Sequence, residues 1–123
     1  MKILKCQKCK TIHQVLKEGT CKPTCCGEEM KELIANTTDA AKEKHVPVVT
    51  QEEKHITVTC GEVPHPMEEN HYIEMMMIET NKGLQIKYLK PQEEPVAHFI
   101  LEEEETFQNA YAYCNLHGLW KNN

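Results

Sequence analysis

Residues 55–60 read His55-Ile56-Thr57-Val58-Thr59-Cys60, and their alternation decides the fold class. Successive side chains of an extended chain point to opposite faces. Ile56, Val58 and Cys60 therefore share one face, and His55, Thr57 and Thr59 share the other, which is the period of a half-buried β-strand. Outward from this segment lie Val46–Thr50, His71–Thr80, Leu84–Leu89 and Val96–Leu101, short runs of β-branched or alternating character divided by Pro, Gly and acidic turns. Strands of this length and spacing predict an antiparallel β-sandwich. Asn81-Lys82-Gly83 suits a hairpin turn. Glu102–Tyr113 leaves room for a helical turn, and the Glu102–Glu105 run reads as a solvated loop.

The first third of the chain has a different character. Its apolar pieces, Ile3-Leu4, Ile12, Val15-Leu16, Met30 and Leu33-Ile34, are broken by Gly19, Pro23 and Gly27. They are too few to bury a core unaided, so a metal is expected to organise residues 1–36. Asn36 to Asp39 reads as a connector. Charge supports a boundary there: residues 1–36 hold seven Lys against four Glu, and residues 37–123 hold seven Lys against fifteen acidic residues.

The chain has no Arg and a formal charge of −5, which argues against a nucleic-acid partner. The start, MKILKCQKCK, lacks the apolar stretch of a signal peptide, and no run approaches a membrane span. A soluble, cytoplasmic protein is expected. Seven cysteines is an odd number, and in a reducing compartment they read as metal ligands or free thiols rather than disulfides.

Cys6-x-x-Cys9 and the adjacent pair Cys25-Cys26 supply four thiolates, a soft anionic set that selects iron or zinc in tetrahedral geometry. Two adjacent cysteines on one metal demand a strained local chain, which makes the pattern less generic than two C-x-x-C knuckles. It resembles desulforedoxin, whose iron is held by C-x2-C and C-C across a long loop. Further along, EKHVPV (43–48), VPHPMEENHYIE (63–74) and YCNLHGLW (113–120) resemble, in the same order, the catalytic-domain signatures of desulfoferrodoxin and neelaredoxin.

The resemblance implies an all-β protein: a desulforedoxin-like FeS4 domain over residues 1–36, ligated by Cys6, Cys9, Cys25 and Cys26, followed by an immunoglobulin-like catalytic sandwich over residues 37–123. In that second domain His45, His65, His71 and His117 are the implied nitrogen ligands and Cys114 the sulfur ligand of a second iron. The implied activity is superoxide reduction to hydrogen peroxide. Superoxide is a small anion and a one-electron oxidant, so its reduction needs a ferrous ion, an open coordination position and a nearby positive charge. Lys44 is expected to attract the anion and help order a proton-donating water, and Glu43 to turn toward the oxidised metal.

Three features of the residues suit these roles. Pro64 and Pro66 stiffen the loop around His65. Cys114 and His117 reach one metal from a single turn, and Leu119 and Trp120 are expected to pack behind it and keep the sulfur dry. Cys21, Cys60, His13, His55 and His98 are read as bystanders, Cys60 as a buried apolar residue. The family implies a rubredoxin-like electron donor and a homodimer. The competing readings are a rubredoxin-like electron-transfer protein without oxygen-radical chemistry, a zinc-stabilised binding module, and a dismutase.

Overall fold

Five short strands, β1 (Ile3–Lys5), β2 (Ile12–Gln14), β3 (Thr24–Cys25), β4 (Glu28–Glu29) and β5 (Lys31–Glu32), make up the first part of the computed structural model, which describes residues 1–123. They form a three-stranded antiparallel sheet, β2-β1-β5, and a separate β3-β4 hairpin. Contacts divide the chain into two compact units, Met1–Ile34 and Ala35–Asn123. In the first unit the buried cluster is Leu4, Cys6 and Met30, with Val15 and Cys25 packed against it. Each such side chain contributes about 1.5–3 kcal/mol on burial. That is little against a backbone ordering cost of roughly 1–2 kcal/mol per residue.

The second unit opens with a single helical turn, α1 (Lys42–His45), and continues as β6 (Pro47–Glu52), β7 (His55–Cys60), β8 (Ile73–Thr80), β9 (Gly83–Tyr88), β10 (Val96–Ile100), β11 (Phe107–Cys114) and β12 (Gly118–Lys121). The strands form two antiparallel sheets, β10-β7-β6 and β12-β11-β8-β9. Ile56, Val58 and Cys60 of β7 and Ala97 and Phe99 of β10 supply one side of the core. Ile73, Met76 and Ile78 of β8 and Ala110, Ala112 and Cys114 of β11 supply the other. This is the sandwich that the alternation at 55–60 predicts.

Some segments differ from the expectation. Phe107–Cys114 is not helical; it is a long inner strand paired with both β8 and β12. Its core-facing positions include Ala110 and Ala112, small residues on an interior strand of the four-stranded sheet. Glu105 is not solvated like its neighbours. It is 7% exposed, and its carboxylate accepts hydrogen bonds from the Thr80 hydroxyl (2.7 Å) and the Glu102 amide (2.9 Å), tying off the β10–β11 connection. Asn36 is no free connector: its side chain both donates to the Lys121 carbonyl and accepts from the Lys121 amide (3.1 and 2.8 Å). The β8–β9 hairpin closes over Asn81-Lys82, with Thr80 opposite Gly83, as the turn residues indicate.

Two irregularities position the histidine- and cysteine-bearing ends of the strands. The β8–β11 register slips between Tyr113↔Met75 and Cys114↔Ile73. This bulge shifts the alternation of β8 so that Ile73 rather than Glu74 enters the core. The β11–β12 hairpin encloses Asn115-Leu116-His117 and ends at Gly118, whose φ of 80° is the left-handed conformation that such three-residue loops require.

Candidate metal centres

Cys6, Cys9, Cys25 and Cys26 bring their sulfurs within 4.8 Å of one another. The first pair lies on a knuckle closed by hydrogen bonds from Cys6 N to Thr11 O (2.9 Å) and from Lys10 N to Cys6 O (3.0 Å). The second pair sits at the β3–β4 turn, where Cys25 ends one strand opposite Glu28 and Cys26-Gly27 makes the two-residue loop. Cys26 has φ 52° and Gly27 φ 78°, the two positive values of a type I′ turn. A non-glycine residue rarely adopts this conformation, and here it turns two neighbouring sulfurs toward one point.

The donor chemistry fits a tetrahedral cation. Sulfurs about 2.3 Å from such an ion stand about 3.8 Å apart, and Cys9 Sγ to Cys25 Sγ is 3.6 Å while Cys25 Sγ to Cys26 Sγ is 4.0 Å. A hydrogen bond with the Thr11 hydroxyl, 3.1 Å away, is the main cause that pulls the Cys9 thiol down to about 6. The interaction with Cys9 is in turn the main cause that pushes Cys25 up to about 12. Four crowded sulfurs do not all ionise without a cation among them. Cys21 is exposed, lies outside the group and is 3.9 Å from the Thr20 hydroxyl.

In the second unit His45, His65, His71, Cys114 and His117 form another such group, again with donor atoms within 4.8 Å of one another. The four imidazoles stand around a closed circuit, His45–His65–His71–His117–His45. Neighbouring ring centroids are 4.5, 4.8, 5.1 and 4.9 Å apart, with interplanar angles of 77°, 83°, 81° and 84°. His45 closes α1, His65 and His71 lie in the β7–β8 connection, His117 lies in the β11–β12 loop, and Cys114 ends β11.

Hydrogen bonds fix which nitrogen faces inward. His45 Nδ1 is 2.7 Å from Ala41 O, and His65 Nδ1 is 2.7 Å from Pro66 O. A carbonyl only accepts, so both Nδ1 atoms carry the proton and both Nε2 atoms turn a lone pair inward. Those two Nε2 atoms are 3.0 Å apart, and neither has a proton to share. Protonation does not resolve the clash: burial is the main cause that lowers the His45 pKa and brings that of His65 down to about 4. His71 Nε2 is buried and without a partner, and His117 Nδ1 lies 3.1 Å from His45 Nε2. Nitrogens about 2.1 Å from one cation and at right angles to each other are about 3 Å apart. A bound metal cation would satisfy every one of these atoms.

The surroundings are unequal. Cys114 is wholly buried. Burial raises its thiol pKa, and the backbone amides of His117 and Leu116 pull it the other way. Leu119 and Trp120 are buried beside it in sequence; the Trp120 ring stacks on His45 at 4.9 Å, and its Nε1 donates to His117 O at 3.1 Å. His45 and His65 are buried, whereas His71 and His117 are only half-buried, so access from solvent is on their side.

Glu43 is exposed and Lys44 half-buried on α1. Because α1 is helical, these neighbours diverge by about 100°. Burial is the chief reason the His45 and His71 imidazoles are held below their ordinary pKa, and the Lys44 charge adds to it at both. Lys44 therefore lies within electrostatic reach of the ring circuit.

Several residues that motif reading passes over hold this site together. Asn115 accepts from the Tyr72 amide (3.0 Å) and donates to Asn70 O (3.0 Å), tying the Cys114–His117 loop to the segment that carries His71. Cys60 is more than an apolar filler: its thiol lies 3.3 Å from the carbonyls of both Lys44 and His45. His13, His55 and His98 join neither group. His55 and His98 meet each other on the exposed face, with Nε2 and Nδ1 3.1 Å apart.

Known proteins are similar to this chain in sequence and fold. The family model described as Desulfoferrodoxin matches residues 37–123. A desulfoferrodoxin homolog of Archaeoglobus fulgidus is 43% identical over 121 residues, covering 98% of this chain and 95% of that protein. The desulfoferrodoxin of Nitratidesulfovibrio vulgaris is 44% identical over 119 residues, covering 97% and 93%. Among solved structures, the superoxide reductase from Treponema pallidum superposes with a TM-score of 0.82 at 32% identity and covers 100% of both chains. A superoxide reductase from Giardia intestinalis gives a TM-score of 0.58 at 38% identity, covering 66% of this chain and 96% of that one. With a family match over residues 37–123 and relatives alike along nearly the full length, this chain belongs to the desulfoferrodoxin family.

Proposed function

We propose that this chain is a superoxide reductase that converts superoxide, one electron and two protons into hydrogen peroxide. The observation that carries the reading is the circuit of four imidazoles, in which the His45 and His65 lone pairs face each other with no proton between them and His71 Nε2 has no partner, with a buried sulfur in the same group and the His71 and His117 side half-open. His45, His65, His71, His117 and Cys114 would hold one iron, and Cys6, Cys9, Cys25 and Cys26 a second. Bound iron would supply the electron and, at the five-donor site, a place for the anion to bind. The protein supplies the rest. The Ala41 and Pro66 carbonyls keep two rings in the ligating tautomer, and Trp120 and the core keep water from the sulfur.

Lys44 is the local cation that draws in the anion, in a unit whose overall charge is negative. It would also order the water that delivers a proton, and Glu43, exposed beside it on α1, would turn toward the iron in its oxidised state. Residues 1–36 are the electron-relay domain and residues 37–123 the catalytic domain. The lysine-rich first segment suits an acidic, rubredoxin-like donor. The unpaired cysteines suit a reducing cytoplasm. No helix is long and apolar enough to cross a membrane. A homodimer completes the proposal, since a small metal-stapled module buries little apolar surface alone.

The test is stoichiometric. Reduced, iron-loaded protein is expected to consume one superoxide for each iron that is oxidised, forming peroxide and evolving no dioxygen. Dioxygen evolution would make it a dismutase, and inertness toward superoxide would leave an electron carrier. Lys44→Ala is expected to slow the bimolecular step about tenfold and flatten its salt dependence. Unchanged stopped-flow kinetics would remove the steering role.

A further inference from the structure

α1 is four residues long, with no side chain capping its N-terminus. A helix this short does not hold its own shape. Yet it carries Lys44 and His45, and His45 is 2% exposed. The carbonyls along it are nonetheless all engaged. Ala41 O receives Lys44 N (3.2 Å) and His45 Nδ1, and Lys42 O receives Val46 N (2.9 Å). Every later carbonyl is met from one place, the end of β7 and the residues just beyond it. Val63 N donates to Glu43 O (2.9 Å), the Cys60 thiol is shared between Lys44 O and His45 O (3.3 Å each), and Gly61 N donates to Val46 O (3.1 Å).

The approach is close enough to depend on glycine. Gly61 has φ 83°, and a Cβ placed there would lie 2.6 Å from both Cα and C of Lys44 and would also strike Glu43 O. Real side chains do not tolerate such contacts, and the atoms in the way are backbone, which cannot swing aside. At 1% exposure Cys60 sits in the sandwich core. A carbonyl only accepts, so the thiol between Lys44 O and His45 O is the donor.

We propose that Cys60 and Gly61 are positioning residues for the superoxide reaction: together they clamp the Lys44–His45 peptide from below and so set where the lysine charge and the first imidazole stand. The clamp couples β7, a core strand, to the one segment that supplies both a ligand and the cation. Its kinetic side rests on the superoxide reductase reading; its structural side does not.

Two readouts separate them. In iron-loaded Gly61→Ala, amide hydrogen exchange of residues 42–46 and Val63, measured by mass spectrometry, is expected to speed about tenfold or more while β8 and β11 stay protected. The rate with superoxide is expected to fall about tenfold, with the flattened salt dependence of Lys44→Ala. Native exchange in that segment would overturn the clamp whatever superoxide does. Inertness of the unaltered protein toward superoxide would instead sink the reductase reading and leave the exchange result standing. Should Gly61→Ala fail to fold, Cys60→Val removes the donor at similar size and is expected to loosen the same segment, and Cys60→Ser, which keeps a donor, to restore it. Equal exchange in the Val and Ser variants would overturn the role given to the thiol.

Discussion

The two metal-binding units solve one problem by opposite means. In Met1–Ile34 only Leu4, Cys6 and Met30 form a buried cluster, Cys9 and Cys26 are exposed, and four sulfurs lie within 4.8 Å of one another. In Ala35–Asn123 the ligands hang from a core of twelve buried residues, and carbonyls, Asn115 and Trp120 orient them. The first unit has little besides its metal site to organise it, whereas the second sets its ligands from a core and from hydrogen bonds. The difference teaches that a metal site is legible as structure only to the extent that something other than metal arranges it.

The largest expected effect tests this directly. Removing the metal from the cysteine site, by chelation or by Cys9→Ser, is expected to unfold the first unit while the sandwich stays folded. Structural zinc in small cysteine domains is worth about 10–16 kcal/mol, more than this unit's few apolar contacts replace. Amide spectra of the metal-free chain give the answer; sharp, dispersed signals from Ile3–Lys5 and Ile12–Gln14 would break the contrast.

Next in size is Trp120→Ala. Trp120 is fully buried, stacks on His45 and bonds to His117 O. Its truncation is expected to cost the sandwich about 3–5 kcal/mol in a urea titration while leaving the cysteine site's absorption unchanged. A cost below about 1 kcal/mol would show that the wall behind the rings is dispensable.

The smallest effect concerns acid. In the metal-free chain burial holds the His65 pKa down at about 4, against 6.5 for an ordinary histidine. Above pH 6.5 both folded and unfolded rings are neutral, and the stability is intact. As pH falls from 6.5 toward 4 the unfolded ring takes up a proton that the folded one refuses, so stability is lost, by at most about 1.4 kcal/mol per pH unit. The measurement is the difference between the native chain and His65→Gln in urea melts across that window. A flat difference would mean that solvent reaches the ring.

Legibility in the sequence divides along the same line. His55–Cys60 is legible because its alternation is strict, and the structure has a strand with those ends. Phe107–Cys114 is not, because Ala and Asn at its centre carry weak β-propensity and the reason for them, an inner strand between two neighbours, is tertiary. Glu105 reads as part of a solvated acidic run because its partner Thr80 is 25 residues away. The nine candidate ligands stand out because cysteine and histidine carry their chemistry openly, and the residues converge as two groups. Gly61, Cys60 and Asn115 stay silent, since each works through backbone atoms brought near only by folding.

Because Ala41 and Pro66 already hold the Nδ1 protons of His45 and His65, capture of a cation by these rings expels nothing into solution. Thiols behave otherwise. Cys25, with its pKa near 12, keeps its hydrogen until an ion displaces it. A weakly buffered solution would thus be acidified chiefly by filling the sulfur pocket, and a pH electrode could track the order in which the two pockets load.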